Sequence, residues 1–160
     1  MIIMSYNNYE KALELAKKCE GYLVGNGQPN DVIKKGQQLL GLDFSRQHYD
    51  YLNKLGFLDF FGHEFYGIPK GDFSGTPEGC MIECALVDRK AWNLPKEWVP
   101  VFNFDDGYMG YLDYGYLNEE GEPRVIMAIY TGQKYEIVEV IAEDFGDFLL
   151  QQVEEHLLTQ

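Results

Sequence analysis

The sequence is poor in positive charge. Thirteen Lys and Arg stand against 26 Asp and Glu in 160 residues, a formal net charge of −13. Gripping a polyanion takes clustered Lys and Arg, so this deficit argues against duplex or phosphate binding. It favours solubility and, where there is a macromolecular partner, a basic one. Histidine is scarce too. His48, His63 and His156 fall on three separate segments with no spacing for shared ligation, and read as ordinary surface or cap residues. The three cysteines are an odd number and cannot all pair within the chain. Cys80 and Cys84, four apart, face the same side of a strand or helix, yet a zinc site would need two further ligands that nothing nearby supplies. Reduced thiols are expected, and with them a cytoplasmic location. No long apolar run exists. Val125–Tyr130 is far short of the ~20 residues of a membrane span, and Met1–Met4 turns polar at Ser5 without a signal-peptide pattern.

What is abundant is apolar and aromatic: 46% hydrophobic residues, with 12 Tyr and 10 Phe. A chain this long buries roughly two-thirds of its unfolded surface, enough for a core without staples, and one domain over residues 1–160 is expected. From Tyr6 to about Gly56 the pattern is helical. Tyr9, Leu13, Ala16 and Cys19 recur at steps of three and four, and Gly21 follows as a stop. Asn30 or Asp31 is placed to cap a second helix ending at Gly41, and Ser45 to cap a third that runs from His48 to Leu55. After Gly56 the chain becomes β-branched, aromatic and glycine-punctuated. Strands are expected at Glu64–Ile68, Met81–Asp88, Val99–Phe104, Tyr108–Tyr116, Val125–Tyr130 and Tyr135–Ile141. Asn118 to Pro123 reads as an exposed loop. A closing helix, Glu143 to Leu158, carries Phe145, Leu149, Val153 and Leu157 at four-residue steps. The expected class is α+β: N-terminal helices, a mostly antiparallel sheet of about six strands, and a C-terminal helix packed on it.

The sequence contains no G-x-x-x-x-G-K-[ST], G-x-G-x-x-G, H-E-x-x-H or G-x-S-x-G motif. His63-Glu64 opens like a zincin but no second His follows. Asp105-Asp106-Gly107 lacks the regular oxygen spacing of an EF-hand and reads as a hairpin turn. Asp113 could approach Asp105 across that hairpin, which leaves a metal-dependent hydrolase built on Asp105, Asp106 and Asp113 as a remote alternative. The stronger candidate is a recognition surface. Tyr108, Tyr111, Tyr114 and Tyr116 form an aromatic ladder beside an acidic set that includes Asp88, Asp105, Asp106, Asp113, Glu119, Glu120 and Glu122. Tyr is amphipathic and anchors protein interfaces, and acid beside it suits a basic surface. The alternative for the ladder is that one of its faces packs under the helices.

Gly62-His63-Glu64-Phe65-Tyr66-Gly67-Ile68 resembles the G-x-E-[LF]-Y-G-[IL] strand of the SUKH superfamily, the Smi/Knr-type cell-wall regulators and bacterial immunity proteins. Trp98-Val99-Pro100-Val101, then Asp106-Gly107, then Tyr111-Leu112-Asp113, is similar to its central pair of strands. Ile141 to Leu149 is similar to its closing A-x-S-F-x-x-F-L helix entry. Ile33, Gln37 and Leu39-Leu40-Gly41, with Tyr49 and Tyr51-Leu52, fit its opening helices. The resemblance spans about residues 27–150. It implies a binding protein and not an enzyme, with no cofactor and no metal. The partner it implies is a polymorphic, nuclease-type toxin domain, which is basic because it must hold nucleic acid. A cell-wall or glucan-synthesis regulator acting through protein contacts is the alternative within the family. The expected contact residues are Asp105, Asp106, Tyr108, Tyr111, Asp113, Tyr114 and Tyr116.

Free thiols are directly checkable. Titration of the denatured protein without reductant should return three reactive groups, and a return of one would establish a disulfide.

Overall fold

The computed structural model describes residues 2–73 and 79–158, with side chains from Tyr6 onward. Among the described residues the elements are α1 (Ile2–Ala16), β1 (Leu23–Val24), α2 (Asn30–Leu40), α3 (Arg46–Lys54), β2 (Leu58–Phe60), β3 (His63–Phe65), α4 (Met81–Trp92), β4 (Trp98–Asp105), β5 (Tyr108–Leu117), β6 (Pro123–Tyr130), β7 (Tyr135–Ala142) and α5 (Phe145–Leu158). The seven strands lie side by side in sequence order, every neighbouring pair antiparallel. The fold is α+β.

The opening helices start and stop close to where their chemistry places them. Ser45 caps α3, its hydroxyl accepting from the His48 amide at 3.4 Å. Gly41 ends α2 in the left-handed conformation (φ 69°), which glycine adopts without steric cost. The cap of α2 differs from expectation. Pro29 holds the N-cap position, while the Asn30 side chain accepts from the Tyr49 hydroxyl at 3.0 Å and so ties α2 to α3.

One expected strand is a helix. Met81–Asp88 is the first two-thirds of α4, not a strand. Its alternation of Ile82, Cys84 and Leu86 is compatible with a pleat. Met, Glu, Ala, Leu, Arg and Lys are nonetheless the better helix formers, and the charges agree with the helix dipole. Glu83 lies in the first turn, Arg89 and Lys90 in the last, and Asn93 closes the helix in a left-handed conformation (φ 58°). Met81, Ile82 and Ala85 make the buried stripe, and Ile82 fits against Gly36 of α2. Two short strands, β1 and β2, were also not expected. With two and three residues, and Asp59 central in β2, neither shows a readable alternation.

The middle of the sheet is covered on both faces. Phe65 and Phe102, cross-strand partners on β3 and β4, pack against Phe148 of α5 with ring centroids 6.0 and 5.6 Å apart. Tyr66, next to Phe65, and Tyr111, which follows the Phe102 partner Gly110 on β5, point the other way and face Cys84 and Asp88 of α4. α1 lies on α5. Tyr9 meets Phe145 at 6.2 Å, its hydroxyl donates to Asp50 at 2.8 Å, and a side chain at Gly146 would collide with it. Gly67 is required for a similar reason. A Cβ there would collide with the Gly56 carbonyl oxygen, which instead accepts from the Ile68 amide at 2.8 Å. The Tyr51 hydroxyl donates to the Phe65 and Tyr66 carbonyls, so the exit of β3 is locked onto α3.

Phe145, Leu149 and Val153 are buried. Leu149→Ala should therefore lower the unfolding free energy by ~2–5 kcal/mol in denaturant titration. A loss below about half a kilocalorie, the size of an ordinary surface substitution, would place that face of α5 in solvent.

Candidate partner-binding surface

The β4–β5 hairpin turns through Asp106 and Gly107, with φ values of 56° and 87°, as a two-residue turn that matches strand twist requires. Asp105 is also left-handed (φ 72°), its amide donating to the Asn103 side chain at 2.8 Å. Short polar side chains tolerate that conformation best, which is why two aspartates sit here. Asp105, Asp106 and Tyr108 are exposed, and Tyr116 at the far end of β5 is 62% exposed.

Of the remaining three expected contact residues, Tyr111 and Asp113 are interior and Tyr114 is half-buried. Tyr111 is 2% exposed and packs on Trp98 (5.3 Å) and Tyr135 (6.2 Å) beneath α4. Asp113 is 1% exposed and pairs with Arg124 Nε at 2.9 Å across the β5–β6 ladder, while its other oxygen accepts from the Gly115 amide. The Arg124 guanidinium lies 3.6 Å over the Tyr116 ring, so Asp113, Arg124 and Tyr116 form one stack. Removing Arg124 would leave the Asp113 carboxylate buried and without its ionic partner. Tyr114 turns beneath the opening helices, accepting from the Ser45 amide at 3.0 Å and meeting His48 Nδ1 at 2.7 Å. Both faces of the central ladder are therefore covered, and the exposed candidates lie at its two ends.

Asp113 does not approach Asp105. It lies opposite Trp98, whereas Asp105 lies opposite Tyr108. Among the described residues no three His, Cys, Asp or Glu side chains group as metal ligands. Asp105, Asp106 and Asp113 thus do not converge into the hydrolase centre held as a remote alternative.

Other residues depart from their sequence reading. Glu122 is 3% exposed rather than in an open loop. It accepts from the Gln47 amide at 3.3 Å and from the Ser45 hydroxyl at the start of α3. Burial raises its carboxyl above the usual range, and those two hydrogen bonds oppose the shift. His48 is 1% exposed, neither surface nor cap residue. Its Nε2 meets the Met81 sulfur at 2.8 Å, and the Phe44 ring lies 4.3 Å away. His63 and His156 come together with ring centroids 4.7 Å apart, His156 Nδ1 facing the Gln152 carbonyl. Beside the ladder, the 600 Å³ groove lined by Tyr116, Glu119, Arg124 and Val140 adjoins β7, whose Ile137, Val138 and Val140 are about half exposed.

A family model described as SMI1-KNR4 cell-wall, of the SUKH group, matches residues 30–149. The chain belongs to the SUKH family. No curated protein matches it significantly. The SUKH match runs from the first residue of α2 into α5, so α1 precedes the shared pattern although it packs on α5. It includes the turn at Asp106, the pair of buried Asp113 with half-buried Arg124, and Tyr114. Among the described residues no helix of this SUKH chain is long and apolar enough to cross a membrane.

The buried His48 makes stability depend on pH. Burial lowers its pKa to about 3 from the ordinary 6.5. Above pH 6.5 the ring is neutral folded and unfolded, and contributes no slope. Below it, the unfolded chain takes up a proton that the folded chain refuses. Stability should then fall by up to ~1.4 kcal/mol per pH unit between about 6.5 and 3. Denaturant titrations across that range should show a shallower slope for His48→Gln than for wild type. Equal slopes would mean that His48 titrates normally in the fold.

Proposed function

We infer that this SUKH protein is a non-catalytic, cytoplasmic immunity protein that binds and neutralises a basic, nuclease-type toxin. The observation that carries the reading is family membership joined to a net charge of −13. A nuclease must present positive charge to its substrate. An acidic inhibitor covering that surface gains long-range attraction and fast association. The exposed ends of the hairpin supply suitable groups: Asp105, Asp106 and Tyr108 at the turn, and Tyr116 on its arginine at the other end. Tyr111, Asp113 and Tyr114 act beneath this surface by fixing the strand that carries it. The second reading, a cell-wall regulator working through protein contacts, is supported by the wording of the family description.

The test is co-expression with a toxin encoded beside this gene. Wild-type protein should restore growth. Association measured by stopped flow should slow about tenfold or more as salt rises from low to several hundred millimolar. Asp105→Asn with Asp106→Asn removes two charges while keeping side chains that tolerate the left-handed turn. This double variant should slow association without changing the melting temperature. Failure of the wild type to rescue growth, with that toxin and related ones, would put the regulator reading ahead.

A further inference from the structure

On α4, Cys84, Asp88 and Trp92 stand four residues apart and so form one stripe. The stripe meets the sheet where Met109, Tyr111, Tyr130 and Tyr135 rise from β5, β6 and β7, and a cavity of about 170 Å³ lies between them, with the exposed Gly107 at its rim. The rings run in a continuous arc. Trp92 to Tyr130 is 5.2 Å, Tyr130 to Tyr135 is 5.0 Å, and Tyr135 to Tyr111 is 6.2 Å between centroids. Trp92 at the mouth is 49% exposed, unusual for so large an aromatic on an otherwise polar helix end.

Asp88 supplies the charge. One of its oxygens accepts from the Cys84 thiol at 3.6 Å, and among the described residues no Lys or Arg forms an ion pair with it. Partial burial raises its carboxyl above the usual range, and burial followed by the Asp88 charge pushes the Tyr135 hydroxyl up to about 12. A partner closing this cavity with an apolar group would strand a desolvated carboxylate, which is costly. A partner bringing a cation would satisfy both the carboxylate and the negative faces of the rings. Arginine suits the site better than lysine, being planar, weakly hydrated and able to stack while it donates to a carboxylate. The size agrees, since an apolar cavity of about 150 Å³ accepts a benzene ring.

We propose that the cavity between α4 and the sheet is a receptor for one arginine side chain of a basic protein partner, with Asp88 receiving the guanidinium and Trp92, Tyr130 and Tyr135 flanking it. The basic character of that partner rests on the immunity reading, while the chemistry of the pocket does not.

The pocket can be tested without the partner. Trp92 and Trp98 are the two tryptophans of the chain, and both touch this ring arc. Titrating ¹⁵N-labelled protein with N-acetyl-arginine amide should shift the Trp92 indole N–H saturably. N-acetyl-citrulline amide, nearly the same shape without the charge, should not. Asp88→Asn should weaken the arginine response about tenfold or more. The Trp98 indole N–H, whose ring meets Tyr135, should shift with that of Trp92 in the wild type, and Trp92→Leu, at an exposed position and so a safeguard should Asp88→Asn unfold, should abolish that shift. No response in the wild type, an equal response to citrulline, or an unchanged one in folded Asp88→Asn would overturn the proposal. A toxin neutralised equally well by wild type, Asp88→Asn and Trp92→Leu would also overturn it while leaving the immunity reading intact. A pocket that takes arginine in a protein that rescues no toxin would sustain the pocket and sink that reading instead.

Discussion

The N-terminus of α3 is the joint on which the rest of the structure hangs. A helix start carries amide donors without intrahelical partners, and here it is buried, so each must find an acceptor. The Ser45 amide donates to Tyr114 of β5, the Gln47 amide to Glu122 before β6, and the His48 amide back to the Ser45 hydroxyl. The side chains continue outward. Gln47 Oε1 accepts from the Gly146 amide at the start of α5, at 2.7 Å, and His48 reaches Met81 at the start of α4. One helical turn thus fixes two strands and two other helices. Each imidazole nitrogen of His48 therefore has one neighbour, Nδ1 the Tyr114 hydroxyl and Nε2 the Met81 sulfur. Burial among these elements removes the ring from water and keeps it neutral well below its ordinary range.

Such a joint constrains where recognition can occur. β5 is gripped on one face by α3 through Tyr114 and on the other by α4 through Tyr111, while Asp113 is used in pairing with β6. A strand held on both faces offers partners only its ends and the rims of the elements covering it. The exposed Asp105, Asp106, Tyr108 and Tyr116, and the Trp92 edge of α4, are those places. The aromatic ladder therefore divides by depth. Its middle rungs are architecture and its outer rungs are surface.

This division explains which parts of the molecule could be read from sequence. Helices with strong caps and long amphipathic repeats, such as α3 behind Ser45 and α5 with Phe145, Leu149 and Val153, declare themselves locally. So does the turn at Asp106-Gly107, because few residues accept its backbone angles. α4 reads locally as a strand because Ile82, Cys84 and Leu86 satisfy a period of two as well as a helix, and its helix formers, terminal charges and Asn93 separate the two. The strand reading also hid the row Cys84, Asp88, Trp92, which lines up at a helical period alone. Asp113, Glu122 and His48 were misplaced for a different reason. Their burial depends on partners 11, 75 and 66 residues away, namely Arg124, Gln47 and Tyr114, and no local pattern encodes such distances.

The same partners decide how the acidity of the chain is distributed. Two deep carboxylates are compensated unequally: Asp113 by Arg124, and Glu122 by amide and hydroxyl donors at the positive end of a helix, while its Oε1 meets no hydrogen-bond partner among the described residues. Among the described residues the Asp88 carboxylate has only a thiol, yet it stands among rings whose faces are also negative. Net charge and local field then act at different ranges. The −13 total acts over roughly a Debye length, about 8 Å at physiological salt, and bears mainly on how fast a basic partner arrives. The Asp88 cavity acts only on contact, where water has been excluded and an ionic pairing is screened least. An approaching surface can meet the first condition with any arrangement of positive charge. The second asks for one cation at one place, and it is there that a partner of the right charge is distinguished from a partner of the right shape.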